Sequence, residues 1–327
     1  MQVDKEVVVS WRISSQVQSL VAYSLEGGGE VVELMRSGYT RQILTDLDRD
    51  NEKEIVLIQL DVAENNSRVE LYDYDNGLMV YTSSAPLSLN LTAIRSAKEG
   101  TLVDSVPAVF ISSDFGEAGG SITDIIAVKN GLLTNLTMDI ETGMSTITRR
   151  YYKDFQDEYG YDINSDGVLE LPISEALPSV GGSAGRLYLL HWYQFDSEGT
   201  AIYVHTTFHS YDDGWYLILP NEWRGKISVA RRETNTNSSV TERAVSFYYS
   251  ERWEDEETQP VEFLTIYRLS GSNRTLRAGM EGRFKLVEST DLIYAAKFWN
   301  VDWDCGLNND ELLERFNRIK INWSENS

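Results

Sequence analysis

A single cysteine, Cys305, stands among 327 residues. No disulfide can close within the chain, and no zinc site of cysteine type can be built from it. Beside Trp303, and without a Cys-His signature, it reads as a small packed hydrophobe rather than a nucleophile. Histidine is nearly as scarce, with three, and proline with six. Apolar runs of ~20 residues are lacking, so no segment reads as a membrane-spanning helix. Bases are outnumbered, 29 Lys and Arg against 51 acids, for a net charge of -22. A field of that sign repels phosphate backbones and anionic lipid, which excludes nucleic acid as an expected partner. The start, Met1 to Glu6, lacks a basic region followed by an apolar one. Two readings stay open there: a cytoplasmic chain, or an exported one whose signal lies outside these residues.

Catalytic signatures are missing too. There is no G-x-S-x-G, no G-x-x-x-x-G-K-[ST] and no G-x-G-x-x-G. Gly181-Gly182-Ser183-Ala184-Gly185 has no helix pattern after it. His205 and His209 would share a helix face, but Tyr203 to Phe208 reads as a strand, where that spacing separates them by about 13 Å. Carboxylate pairs for glycoside hydrolysis are defined in space, not along the chain. A hydrolase acting on cell-envelope or extracellular polysaccharide therefore stands as the alternative to a non-enzymatic protein.

What the chain does have is strand-forming sequence. Hydrophobic residues make up 42%, with 18 Tyr and 8 Trp, enough to fill real cores. Length suggests about two domains. Three units repeat a shape of strand, loop, strand, tight turn, strand. Ile55–Ile58, Arg68–Tyr72 and Leu78–Tyr81 form the first, turning at Asn76-Gly77. Ala108–Ile111, Asp124–Val128 and Leu132-Leu133 form the second, turning at Asn130-Gly131. Leu169–Ile173, Arg186–Leu190 and Ala201–Val204 form the third, turning at Glu198-Gly199. Asn-Gly between apolar runs is a strong hairpin signal. A partial fourth unit lies around Leu20 to Met35, with Gly27-Gly28-Gly29 as its turn. Repeats of this size, each a small antiparallel sheet, suggest propeller blades, with an open sheet or sandwich as the other option.

Two acidic stretches read alike. Asp46-Leu47-Asp48-Arg49-Asp50-Asn51-Glu52-Lys53-Glu54 and Asp162-Ile163-Asn164-Ser165-Asp166-Gly167-Val168-Leu169-Glu170 both spell D-x-[DN]-x-D-[GN]-x-x-E. Alternating oxygen side chains in a tight loop are what a hard cation such as calcium needs. On that reading the ligands are Asp46, Asp48, Asp50 and Glu54 with the Glu52 carbonyl, and Asp162, Asn164, Asp166 and Glu170 with the Val168 carbonyl. The other reading is a pair of Asx-rich turns whose side chains bond their own backbone.

Tied to the edges of β units, these loops resemble the FG-GAP or integrin-α type of propeller repeat. The resemblance implies calcium in the loops and a propeller-like domain. Asn51 stands where that family has Gly, and Asp114-Phe115-Gly116-Glu117 in the middle unit has no ladder of acids. Residues 215–327 read differently. Trp215 to Pro220 leads into Trp223-Arg224-Gly225-Lys226, a stretch that resembles the C-terminal module of uncharacterised cell-envelope lipoproteins of Gram-positive bacteria. That implies an extracellular or cell-surface location, with a lipid anchor upstream, and no activity to carry over.

The expected architecture is mainly β: a propeller-like repeat domain over 1–214 and a small α+β module over 215–327. Strands are expected at Ala244–Tyr249, Phe263–Arg268 and Leu292–Phe298, with loops at Thr234–Thr241 and Glu251–Glu257. Cleavage is expected at those loops and at Ser210–Gly214. One helix is signed by Asn308 as cap, Glu311 at its third position and Leu307 stapled to Leu312. Leu312, Leu313, Phe316 and Ile319 would form its apolar stripe, with Arg315, Arg318 and Lys320 at its C-terminal end. Trp192, Tyr193, Trp215, Tyr216, Trp223, Tyr248, Tyr249 and Trp253 could line a groove for an unknown protein or glycan, or pack in the core. The reading that follows is an exported, surface-associated, non-enzymatic binding or scaffold protein.

Overall fold

The computed structural model of the protein describes residues 5–12, 18–25, 31–116, 120–145, 148, 160–180, 187–237, 240–253, 258–280 and 282–319. It is mainly β, built from antiparallel sheets, and divides into two compact units.

The first unit spans Met1–Ile173 and Tyr193–Tyr203. Strands β1 (Lys5–Arg12), β2 (Gln18–Leu25) and β3 (Val31–Tyr39) form one meander. Next come β4 (Arg41–Thr45), β5 (Glu54–Gln59), β6 (Arg68–Asp75) and β7 (Leu78–Pro86), paired in chain order. A third meander holds β8 (Leu91–Thr101), β9 (Pro107–Phe115), β10 (Gly120–Lys129) and β11 (Leu132–Asn135). The short pair β12 (Met138–Asp139) and β13 (Met144–Ser145) follows. Asn76-Gly77 and Asn130-Gly131 close two of the hairpins, each with positive φ at both residues (49° and 86°, 53° and 76°). That backbone matches the twist of the flanking strands, which is why Asn-Gly is found there. Apolar residues of β5 and β9 are buried almost without interruption, so these are central strands with both faces covered. The expected blades thus appear as consecutive antiparallel meanders, and no closed ring of blades is present among the described residues. Gly27 to Gly29, expected as a turn, lies outside the described residues.

The second unit spans Ser174–Trp192 and Val204–Ser327. One five-stranded sheet has the order β14 (Leu171–Ala176), β15 (Tyr188–Phe195), β16 (Ala201–Ser210), β17 (Trp215–Leu219) and β23 (Phe316–Arg318). The other has the order β18 (Ile227–Asn237), β19 (Val240–Tyr249), β20 (Val261–Gly271), β22 (Leu292–Phe298) and β21 (Phe284–Glu288). Trp215, Trp223, Phe208, Phe247 and Phe263 lie at the centre of the core, with ring centroids 4.9–6.4 Å apart. Such edge and tilted pairs add to the burial of large apolar surface.

Several expectations are corrected here. A boundary at 214/215 would fall between β16 and β17, which pair from Ser210↔Trp215 to Thr206↔Leu219 in one sheet. The expected loop at Thr234–Thr241 is largely the tip of a long hairpin, with Asn235 facing Thr241 and Thr234 facing Glu242. Helix is sparse in the expected α+β module. Its α-helices among the described residues are α1 (Arg274–Ala278) and α2 (Asn309–Arg315), beside a single 3-10 turn at Asn221–Trp223. The capping box of Asn308 and Glu311 is present. The stripe is not: Leu312 is buried, Leu313 is 38% exposed, and Phe316 has already left the helix to pair as β23 on β17. Lys320 lies outside the described residues.

Ser210–Gly214 is not a loose linker either. Ser210 is fully buried and its Oγ donates to Asp213 Oδ2 at 2.8 Å. Arg243 Nε sits 2.7 Å from Asp213 Oδ1, and the Tyr294 hydroxyl donates to the Asp213 carbonyl. Limited proteolysis should therefore spare 210–214. A first cut within these five residues, read by mass spectrometry, would contradict this packing.

Candidate metal centres

The two acidic loops bridge strands in the same way. In the first, Thr45 at the end of β4 pairs with Glu54 at the start of β5. In the second, Tyr161 bridges Glu170, one residue before β14. The second loop position is apolar in both, and Leu47 and Ile163 are both buried. Each of them donates its amide to the closing glutamate: Leu47 to Glu54 Oε2 and Ile163 to Glu170 Oε2. A buried apolar side chain thus anchors each loop, and its amide fixes the carboxylate that ends it.

Inside the loops the remaining carboxylates are held by backbone amides. Asp46 accepts from Arg49 and Asn51, Asp48 from Asp50, and Asp50 from Glu52. Asp162 accepts from Asp166 and Gly167, Asn164 from Asp166, and Asp166 from Val168. Positive φ recurs at the fourth and sixth positions: Arg49 68° and Asn51 72°, Ser165 63° and Gly167 87°. Asn tolerates this conformation better than other non-glycine residues, so Asn51 supplies the turn that Gly167 supplies in the second loop.

These bonds draw the acids together. Oxygens of Asp46, Asp48, Asp50 and Glu54 all lie within 4.8 Å of one another, as do those of Asp162, Asp166 and Glu170. Either group could hold a metal ion. Glu52 and Val168, whose carbonyls were expected as ligands, are fixed by their amides to Asp50 and Asp166. Burial raises the proton affinity of both closing glutamates. Glu54 is pushed up to about 7 by desolvation, reinforced by Asp48, Asp46 and Asp73 and partly offset by the Leu47 amide. Glu170 is also pushed up to about 7, by desolvation and by Asp166 and Asp162. Desolvation leads the upward shift of Asp48, with Asp50, Asp73 and Asp46 adding to it.

The loops differ in one respect that their spelling hides. In the second, Gln194 Nε2 reaches in from β15 and donates to Glu170 Oε1 and Asp166 Oδ2, both at 2.7 Å. Asn164 Nδ2 also donates to Asp166 Oδ2. Neutral amide donors thereby spread the negative charge. In the first loop Glu54 is 1% exposed and its Oε1 is buried with no hydrogen-bond partner. A buried carboxylate oxygen in that state is costly unless a proton or a cation meets it.

The histidines, the cysteine and the buried tryptophans singled out in the sequence do not converge on a site. His205 and His209 both lie on β16, as expected of a strand. His209 is buried, pushed down to about 3 by desolvation, and stacks on Tyr216 at 5.0 Å as one more ring of the core. His191 spans Glu175 and Thr206 at 2.6 and 2.7 Å. Cys305 is half-buried against the aromatic core, and burial pushes its thiol up. Trp192, Trp215 and Trp223 are fully buried. Asp114 of the middle unit is paired with Arg95 Nε at 2.9 Å. Gly181 to Gly185 lies outside the described residues. Gln194 and Asp73 went unnoticed in the sequence, because neither has a fixed spacing to a loop. The chain matches no family model and no curated protein.

Proposed function

We propose that this is an exported, surface-associated binding or scaffold protein without catalysis of its own, in which calcium stiffens two loops of FG-GAP-like β units. The observation that carries the calcium part is the shared hydrogen-bond pattern of the two loops, together with the unpartnered, buried Glu54 Oε1. Asx turns alone account for the loop shape. They do not account for four carboxylates gathered within 4.8 Å, one of them buried. Calcium suits the donor set: all oxygen, mostly carboxylate, on a loop flexible enough for six to eight ligands. Magnesium would demand a tighter octahedron.

Asp46, Asp48, Asp50 and Glu54 would hold one ion, with the Glu52 carbonyl. Asp162, Asn164, Asp166 and Glu170 would hold the other, with the Val168 carbonyl. The chemistry supplied is structural: the ion would neutralise crowded acids and lock the β4–β5 and β14 connections. Extracellular calcium is high enough to fill sites with dissociation constants of ~0.1–1 mM, which agrees with the surface location that the resemblance implies. The consecutive antiparallel meanders of the first unit support the blade-like reading.

Calorimetric titration of chelator-treated protein with calcium tests the proposal. Two sites are expected. Asp48→Ala should remove the first and Asp166→Ala the second, with magnesium binding at least about tenfold more weakly. Absence of binding heat together with an unchanged melting temperature would leave the loops as plain turns.

A further inference from the structure

A cleft of about 760 Å³ opens in the second unit where β19 ends, β20 begins and the chain leaves β22. We infer that it binds a short neutral oligosaccharide. Its volume falls in the range of small-ligand sites, about 300–1,000 Å³. Its wall is an aromatic platform: Tyr249 and Trp303 stack in parallel, centroids 4.2 Å apart and 9° between planes. The platform is rigid from behind. Trp303 meets Phe263 edge to face at 4.7 Å, and the neighbouring Cys305 carbonyl accepts from Trp223 Nε1 at 2.7 Å. Unlike the core tryptophans, Tyr249 and Trp303 are only half-buried.

Around the rings the lining is polar, with Glu251, Gln259, Asn300, Asp302 and Arg252. Amides both donate and accept, carboxylates accept and the guanidinium donates, which matches hydroxyls that do both. An anion is disfavoured by two carboxylates against one arginine and by a net charge of -22. A quaternary cation is better held by rings set around it, and here the rings are stacked with no gap between them. A sugar ring has one flat C–H face for the platform and a rim of hydroxyls for the polar wall. The cleft lies in the second unit and the acidic loops in the first, so this inference stands apart from calcium binding.

The experiment is calorimetric titration in chelator with cellotetraose, maltotetraose, chitotetraose and mannotetraose, with choline chloride as a cation control and tryptophan fluorescence in parallel. At least one tetrasaccharide should saturate below about 10 mM, shifting the fluorescence. Tyr249→Ala should weaken it about tenfold or more, and Asn300→Ala and Glu251→Gln should each weaken it by about threefold or more. Trp299→Ala, an exposed aromatic outside the cleft, should stay within about twofold. No saturation by any of the four sugars would overturn the inference. So would sugar binding unchanged in Tyr249→Ala, Asn300→Ala and Glu251→Gln proteins that melt normally, or choline binding that is lost in Tyr249→Ala.

Discussion

Glu54→Gln should stabilise the metal-free protein at pH 8 by about 3 kcal/mol and leave it unchanged at pH 4, measured by urea unfolding in chelator. The sign follows from the direction of the shift. An ordinary glutamate near 4.5 is pushed up to about 7 in the folded state, first by desolvation and then by Asp48, Asp46 and Asp73. Between those values the folded chain holds a proton that the unfolded chain has released. The carboxyl's contribution is therefore full below about 4.5, declines as pH rises through about 7, and stays lost above. The variant's glutamine would keep an acceptor for the Leu47 amide and carry no charge, so it escapes that loss. Its amide hydrogens would also face the oxygens of Asp46 and Asp48, which lie within 4.8 Å. Calcium should reverse the ranking. At a hundred times its dissociation constant an ion adds about 2.7 kcal/mol to the wild type, and the variant should lose most of that gain at the first loop. Equal wild-type and variant stabilities at pH 8 in chelator would mean that Glu54 is not strained by its burial.

Those features of the fold that arise within a few residues were legible in the sequence. Asn76-Gly77 and Asn130-Gly131 turn where their spelling says, because two positive φ values are a local demand. Asn308 and Glu311 cap α2 for the same reason. Both acidic loops gather their acids as the spacing implies, since each Asp bonds an amide two to five residues on. Long-range pairing was not legible. Thr234 to Thr241 looks like a loop because its residues are polar and small, yet pairing extends β18 and β19 through most of it. The helix stripe failed at Phe316, which the free edge of β17 recruits as a strand. Asn51 stands where the resembled family has Gly, yet it is the first loop that holds the unpartnered carboxylate oxygen, because the amide that would quiet it, Gln194, serves the second.

The same limit hid Asp124, which reads as an ordinary strand residue and carries the other large expected effect. Its carboxylate is fully buried on β10. Oδ1 accepts from Ser88 Oγ at 2.7 Å and from Asn135 Nδ2 at 2.8 Å, and Oδ2 accepts from the Ser88 amide at 3.1 Å. Ser88 Oγ accepts in turn from the Ser145 amide, and Asn135 Nδ2 donates also to the Pro86 carbonyl. One side chain thus ties together the exit of β7, β10, β11 and β13. Desolvation raises its proton affinity, and the three donors pull the other way. Asp124→Ala would strand three buried donors at once, so a loss of about 3–5 kcal/mol is expected. Asp124→Asn tests whether the acceptors matter rather than the space. It keeps the volume but sets an NH2 against one of the donors around the carboxylate, so it should recover only part of that loss, leaving about 1–3 kcal/mol. Urea unfolding of both variants measures this. An alanine variant within about 1 kcal/mol of wild type, or an asparagine variant as stable as wild type, would show that the network does not hold these strands together.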